Sequence, residues 1–87
     1  MNAKKKSNVR IFFKKSLDKN GQYKIISKKT GKIKLIKHYV NDILNGDYIF
    51  YWDNGNIMLK GKFKNNKRVG TWVNYDSNGD LVLSEKY

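Results

Sequence analysis

Apolar and polar side chains alternate along several short segments of the chain. The alternation is clearest in segments 33–39, 57–63 and 81–87, where the apolar residues stand two or four places apart. Because successive side chains of a strand point to opposite faces, each segment predicts a strand with one apolar face. The apolar residues are Ile33, Leu35 and Tyr39 in the first segment, Ile57, Leu59 and Phe63 in the second, and Leu81, Leu83 and Tyr87 in the third.

These segments belong to a repeated unit of about 24 residues. A shift by that length superposes Tyr39 on Phe63, Gly46 on Gly70, Tyr48 on Trp72, Tyr51 on Tyr75, and Asn54-Gly55 on Asn78-Gly79. An earlier copy is degenerate. Gly21 and Tyr23 precede Gly46 and Tyr48 by 25 residues, which predicts one additional residue in the turn of that copy.

Turn residues divide the units into hairpins. Asn54-Gly55 and Asn78-Gly79 stand between strand-like runs, and this dipeptide favours a hairpin because both residues tolerate positive φ. We expect the polar segment 65–70 to be a loop that leads to the next hairpin, and Val9–Phe13 to be the last strand of a further, degenerate unit. The predicted fold class is all-β, an antiparallel meander of consecutive hairpins with about seven strands.

The unit resembles the MORN repeat, in the variant form of small bacterial antitoxin-like proteins. The resemblance is carried by residues 39–51 with Asn54-Gly55, and more clearly by 63–75 with 78–81. It covers residues 38–87 well and 21–37 poorly, and Asp42 and Asn66 replace a glycine of the family pattern. It implies an elongated, single-layer, curved sheet without catalytic residues, which acts as a scaffold for protein contacts or self-association. Lipid binding is proposed for some members.

The domain organisation follows from the repeat and from the N-terminal charge. We expect residues 1–8 to form a basic, disordered tail and residues 9–87 to form one domain. Within that domain, residues 9–38 are the degenerate unit, and residues 39–62 and 63–87 are the two clean units.

The composition disfavours an enzyme. A chain of 87 residues has little interior for a catalytic pocket, and it contains no cysteine. His38 is the single histidine, and the acidic residues show neither a metal-ligand spacing nor a carboxylate pair. We therefore predict no cofactor and no metal. Because neither a secretory signal nor a membrane-spanning run is evident, we expect a cytoplasmic protein.

The positive charge is unevenly distributed. Residues 1–37 contain thirteen Lys or Arg and one acid, whereas residues 38–87 contain six of each, so the whole excess of +12 lies in the first part. Such a field attracts polyanions, and lysines contact phosphates without reading bases. The alternative is that the charge only keeps the protein soluble. The candidate nucleic-acid or anion ligands are Lys14, Lys15, Lys24, Lys28, Lys29, Lys32, Lys34 and Lys37.

Five aromatic residues are candidates for a protein interface: Tyr48, Tyr51, Trp52, Trp72 and Tyr75. They are either packing residues of the repeat or a docking surface, since Trp and Tyr are frequent in binding hot spots. Residues three apart lie on opposite faces of a strand unless a bulge intervenes. Trp52 has no aromatic counterpart in the next unit, where Asp76 takes its place.

Together these features predict a non-catalytic module that acts by protein–protein interaction. The resemblance to the MORN-repeat variant family implies that this interaction is antitoxin-like or inhibitor-like. The alternative is RNA or DNA binding of low specificity through the basic part, which could inhibit or regulate a nucleic-acid enzyme. An anionic membrane surface is a third possible partner, and the open sheet edges could pair two copies into a homodimer.

Overall fold

A computed structural model describes residues 18–87, which form one antiparallel sheet of six strands. The strands pair in chain order, so the all-β hairpin meander predicted from the sequence is confirmed. The predicted tail, the predicted strand Val9–Phe13, Lys14 and Lys15 lie outside the described residues. The strands are β1 Gly21–Ile26, β2 Ile33–Val40, β3 Ile43–Tyr51, β4 Ile57–Lys64, β5 Lys67–Tyr75 and β6 Leu81–Lys86.

Two-residue turns close one end of the sheet. Asn41 and Asp42 have φ of 49° and 69°, and Asn65 and Asn66 have φ of 52° and 68°, so both turns have positive φ at their two central residues. Such turns match the twist of the paired strands. The expectation of a loop over 65–70 is therefore wrong. Asn65-Asn66 is itself a tight hairpin turn, and β5 begins at Lys67.

Longer loops close the opposite end. In the second loop, between β3 and β4, the Trp52 N–H donates to the Asn56 carbonyl at 2.7 Å. In the third loop, between β5 and β6, the Asp76 N–H donates to the Asp80 carbonyl at 2.9 Å. The first loop is bounded by the corresponding bond from Ser27 to Lys32 (2.8 Å) and is one residue longer, as the sequence predicted.

The bulges also repeat from one hairpin to the next. Gly46 and Gly70 lie inside β3 and β5 with φ of 118° and 72°, and the strand register shifts beside each of them. Extra residues in the bulged strand increase the local twist without ending the strand. These glycines therefore lie within strands and do not start them.

Three of the predicted apolar residues, Leu35, Leu59 and Leu83, share one face of the sheet. Ile33, Ile57 and Leu81, which were predicted on the same face, pair instead with Ile26, Tyr51 and Tyr75 beyond the register shifts. Residues directly opposite each other in antiparallel strands share a face, and Leu35 pairs with Phe50, Phe50 with Leu59, Leu59 with Asn74, and Asn74 with Leu83. We call this side of the sheet the packed face.

Aromatic pairs on the packed face repeat once in each hairpin. Tyr23–Tyr39, Tyr48–Phe63 and Trp72–Tyr87 all meet edge to face, with ring centroids 5.4, 5.2 and 6.3 Å apart. This geometry is favourable because the positive ring edge meets the negative ring face.

Trp72 lies at the centre of this packing. Its side chain is 1% exposed and its Nε1–H donates to the Lys62 carbonyl at 3.2 Å. The ring covers Gly61, where a Cβ atom would come within 2.0 Å of the indole. A single layer thus buries one large side chain completely, because a neighbouring strand lacks a side chain at this point.

Candidate binding surfaces

The five candidate aromatic residues separate onto the two faces. Tyr48 and Trp72 lie on the packed face, with ring centroids 5.8 Å apart. Tyr51 and Tyr75 stand three residues further along their strands and lie on the other side, which we call the open face. Tyr75 there lines a groove of about 320 Å³ together with Val73 and Lys60. Of the predicted interface residues, Tyr48 and Trp72 are therefore packing residues, whereas Tyr51 and Tyr75 belong to the opposite face of the sheet.

Tyr51, Trp52 and Tyr75 come together at the long-loop end of the sheet, and we call them the aromatic surface. All three side chains are half-buried. Tyr51 and Trp52 line a hollow of about 490 Å³ with Met58, and Tyr51 and Tyr75 line another of about 430 Å³ with Ile57. Concave, largely apolar surfaces with a few polar groups suit ligand or partner side chains.

Hydrogen bonds hold this end of the sheet in place. The indole Nε1–H of Trp52 donates to the Tyr75 carbonyl at 3.1 Å. The side-chain amides of Asn54 and Asn56 both donate to the Ser77 carbonyl, at 2.7 and 2.8 Å. The second and third long loops are therefore linked, and the aromatic surface is already assembled without a partner. Trp52, which has no counterpart in the next unit, joins two units here.

The surroundings of the aromatic surface carry positive charge. Lys34 lines the hollow of Tyr51 and Trp52, and Lys60 and Lys62 line the groove of Tyr75. The acidic residues on these walls are Asp53 and Asp47. Sequence reasoning missed Met58, Lys60 and Lys62 as members of a site. Their position one to five residues before Phe63, on a strand that pairs with the aromatic-rich β3 and β5, is the signal that could have found them.

The basic candidates on β1, the first loop and β2 do not all lie on the same surface. The exposed candidates are Lys24, Lys28, Lys29, Lys32 and Lys34. The Lys29 ammonium lies 3.2 Å from an Asp53 carboxylate oxygen. The Lys37 side chain is half-buried on the packed face, and its ammonium lies 5.4 Å from the centre of the Tyr39 ring. The exposed lysines therefore surround the first loop and the open side of β2.

Strand β6 is the most exposed apolar part of the described chain. Leu81, Val82, Leu83 and Tyr87 are 63, 64, 48 and 54% exposed. Among residues 18–87, β6 pairs with β5 alone. Sequence reasoning placed Leu81 and Leu83 on the apolar face of their strand. Their position at the edge follows from the meander order, which leaves the last described strand with a neighbour on one side.

Within residues 18–87 there is no group of three or more His, Cys, Asp or Glu that could hold a metal ion, and no helix able to cross a membrane. No protein-family profile matches the chain, no curated protein matches it, and no solved structure matches it. The fold and the surfaces described above are therefore the basis for a functional proposal.

Proposed function

We propose that the protein is a non-catalytic binding module that acts through protein–protein interaction. The observation that carries this proposal is the aromatic surface of Tyr51, Trp52 and Tyr75. Aromatic side chains held by a rigid scaffold lose little entropy on binding, and Tyr and Trp are enriched among residues that dominate interface energies.

The charge around the aromatic surface indicates the chemistry of the partner. Lys34, Lys60 and Lys62 lie on the walls of the adjoining hollows, so a partner with acidic side chains around an apolar or aromatic anchor complements this surface. An inhibitor-like or antitoxin-like role is the form of this proposal that agrees with the proposed membership in the MORN-repeat variant family. In this role the module would act in the cytoplasm and would occupy the working surface of another protein.

Affinity capture with the tagged 87-residue chain tests the proposal, with Tyr51→Ala and Tyr75→Ala as test variants. A hot-spot tyrosine costs ~2 kcal/mol or more, so we expect roughly thirtyfold weaker binding of the purified partner. Tyr23→Ala is the matched control, because Tyr23 is 38% exposed and belongs to the packed face. Far-UV circular dichroism establishes that each variant is folded. The proposal fails if Tyr23→Ala weakens binding as much as the test variants, or if no partner is captured.

Low-specificity binding of RNA or DNA is the second candidate function. Residues 18–37 carry seven lysines and one aspartate, and five of these lysines are exposed around the first loop and the adjacent strands. Fluorescence anisotropy of labelled single-stranded RNA and of mixed-sequence duplex DNA, measured at low and high salt, tests this function. Binding to phosphates weakens steeply with salt and shows little dependence on sequence.

Charge reversal locates the nucleic-acid surface. Replacing Lys28, Lys32 and Lys34 by Glu removes up to three phosphate contacts, which lowers the salt slope for duplex DNA by roughly 2.7. The control reverses two charges, Lys64 and Lys67, which flank the Asn65-Asn66 turn at the opposite end of the sheet, and the effects are compared per reversed charge. An equal effect of the control would place binding elsewhere, and absence of binding at low salt would reject this function.

A further inference from the structure

The outer edge of β6 combines exposed apolar side chains with unpaired backbone groups. Four of the nine large apolar side chains that are exposed in residues 18–87 belong to segment 81–87. An edge strand presents a row of N–H and C=O groups, and proteins usually protect such edges with charges or short strands. The edge of β6 carries Glu85 and Lys86, both near its end.

The direction of the free backbone groups follows from the pairing with β5. The Tyr87 N–H donates to the Gly70 carbonyl at 2.9 Å, and Glu85 and Leu83 pair with Trp72 and Asn74 in the same register. Hydrogen-bonded and non-hydrogen-bonded pairs alternate in antiparallel strands. Residues 83, 85 and 87 therefore direct their backbone groups toward β5, whereas residues 84 and 86 direct theirs outward.

Charge is distributed so that this end of the sheet can approach a like molecule. Segment 67–87 contains Lys67, Arg68 and Lys86 against Asp76, Asp80 and Glu85, so its net charge is 3 − 3 = 0. Residues 18–40 carry seven lysines and one aspartate, a net charge of 7 − 1 = +6. Two copies joined through β6 hold their β1 strands eleven strand spacings apart, or roughly 50 Å, which far exceeds the screening length of ~8 Å.

We propose that β6 pairs antiparallel with β6 of a second copy, with Ser84 opposite Ser84 at a two-fold axis, so that the described strands of both copies form one continuous sheet. In this register Leu83 lies opposite Glu85 of the second copy and Val82 lies opposite Lys86. Centres at residue 85 or 86 place like charges opposite each other, which is unfavourable. A centre at residue 83 sets Lys86 opposite Asp80, which lies outside β6, so the outward-facing groups of Lys86 stay unpaired. A register that sets an even-numbered residue opposite an odd-numbered one is excluded, because it places backbone groups that face outward opposite backbone groups that face β5.

The two-fold β6–β6 contact is favoured over a head-to-tail β6–β1 contact because it is complete with two copies. Pairing β6 with β1 of a second copy leaves, among the described strands, a β1 edge at one end and a β6 edge at the other, and therefore continues into filaments. A β6–β6 contact buries less surface than a standard interface of about 1,600 Å², so the dimer is reversible and concentration-dependent. It doubles the number of aromatic surfaces without covering them, because these lie on β3, its loop and β5.

Disulfide formation with the full chain tests the register directly. The sequence contains no cysteine, so Ser84→Cys introduces a single thiol, and its symmetry mate lies opposite at about 5.5 Å between Cα atoms, within disulfide range. Lys24→Cys is the matched control on β1, the other end strand of the described sheet. We expect Ser84→Cys to form covalent dimers under mild oxidation roughly tenfold faster than Lys24→Cys, at protein concentrations where wild type sediments as a dimer. Equal rates, or a wild type that remains at its 10.2 kDa monomer mass up to millimolar concentration, overturn the proposal.

A charge pair at Leu83 tests the same register without cross-linking. In the proposed dimer residue 83 of each copy lies opposite Glu85 of the other, so the pair occurs twice. Leu83→Lys makes both pairs oppositely charged, whereas Leu83→Glu makes both pairs like-charged. We expect Leu83→Lys to dimerise roughly tenfold more tightly than Leu83→Glu. Net charge alone predicts the reverse order, because Leu83→Glu lowers the monomer charge from +12 and Leu83→Lys raises it. The reverse order by sedimentation equilibrium overturns the proposed register.

Discussion

Gly61→Ala tests whether Trp72, the one fully buried side chain among residues 18–87, depends for its packing on a missing side chain in the neighbouring strand. The Cβ atom of alanine would lie 2.0, 2.2 and 2.6 Å from three carbon atoms of the Trp72 indole, so the ring must move. Gly61 does not have a left-handed backbone, so conformational strain is absent and alanine by itself would stabilise by ~0.4–1 kcal/mol.

The destabilising contributions are larger than this stabilisation. Overpacking a well-packed site costs ~1–3 kcal/mol, and displacement of the ring also endangers the bond from Nε1 of Trp72 to the Lys62 carbonyl, which contributes ~1 kcal/mol. We therefore expect a net loss of about 1–3 kcal/mol. For a domain of this size, each kcal/mol lowers the melting temperature by roughly 4–8 °C.

Urea denaturation followed by far-UV circular dichroism and by tryptophan fluorescence measures the loss. Combining Gly61→Ala with Trp72→Phe should reduce its cost, because the smaller ring leaves space for the methyl group, and the two substitutions then become non-additive. Gly55→Ala is the control for backbone strain. Its Cβ meets no atom within 4 Å, but φ is 94°, so we expect a cost of ~1–2 kcal/mol without a change in the Trp72 environment. A Gly61→Ala variant as stable as wild type would refute the packing argument.

Three further predictions concern turns and charges. Asn66→Ala should lower the free energy of unfolding by about 1–3 kcal/mol in urea denaturation, because φ of Asn66 is 68° and its side-chain oxygen accepts the Leu44 N–H at 2.9 Å. Asn66→Gly should lower it less, since glycine tolerates positive φ, and equal losses would contradict this account. Asp76→Ala should lose roughly 1–2 kcal/mol in thermal unfolding, since its carboxylate accepts two backbone N–H groups of its loop at 3.0 Å; an unchanged melting temperature would argue against it. Lys29→Ala should change stability by less than ~1 kcal/mol, because the ion pair with Asp53 is solvent-exposed, and a larger, salt-sensitive loss would be inconsistent with this.

Alternation and self-similarity in the sequence were sufficient to determine the fold class, the meander order and the sharing of a face by Leu35, Leu59 and Leu83. They also determined the longer first loop. Such features are local, because they depend on the two-residue period of a strand and on the spacing of turn residues along one chain.

The positions of the tight turns were not apparent from the sequence. Asn54-Gly55 has the stronger hairpin signal, yet the two-residue turns are Asn41-Asp42 and Asn65-Asn66, and Gly70 lies within a strand. Asparagine and aspartate tolerate positive φ almost as well as glycine does, so local propensity did not discriminate between these sites. Cross-strand pairing decided which dipeptide closes the shorter loop.

The tertiary structure alone decided the roles of the aromatic residues. Tyr48 and Trp72 share their residue types with Tyr51, Trp52 and Tyr75, but the first two pack with Phe63 and the last three line hollows. Burial of Trp72 requires Gly61 on a neighbouring strand, which is a relation between distant positions. The exposure of β6 likewise follows from its place in the strand order, since an edge is a property of the assembled sheet.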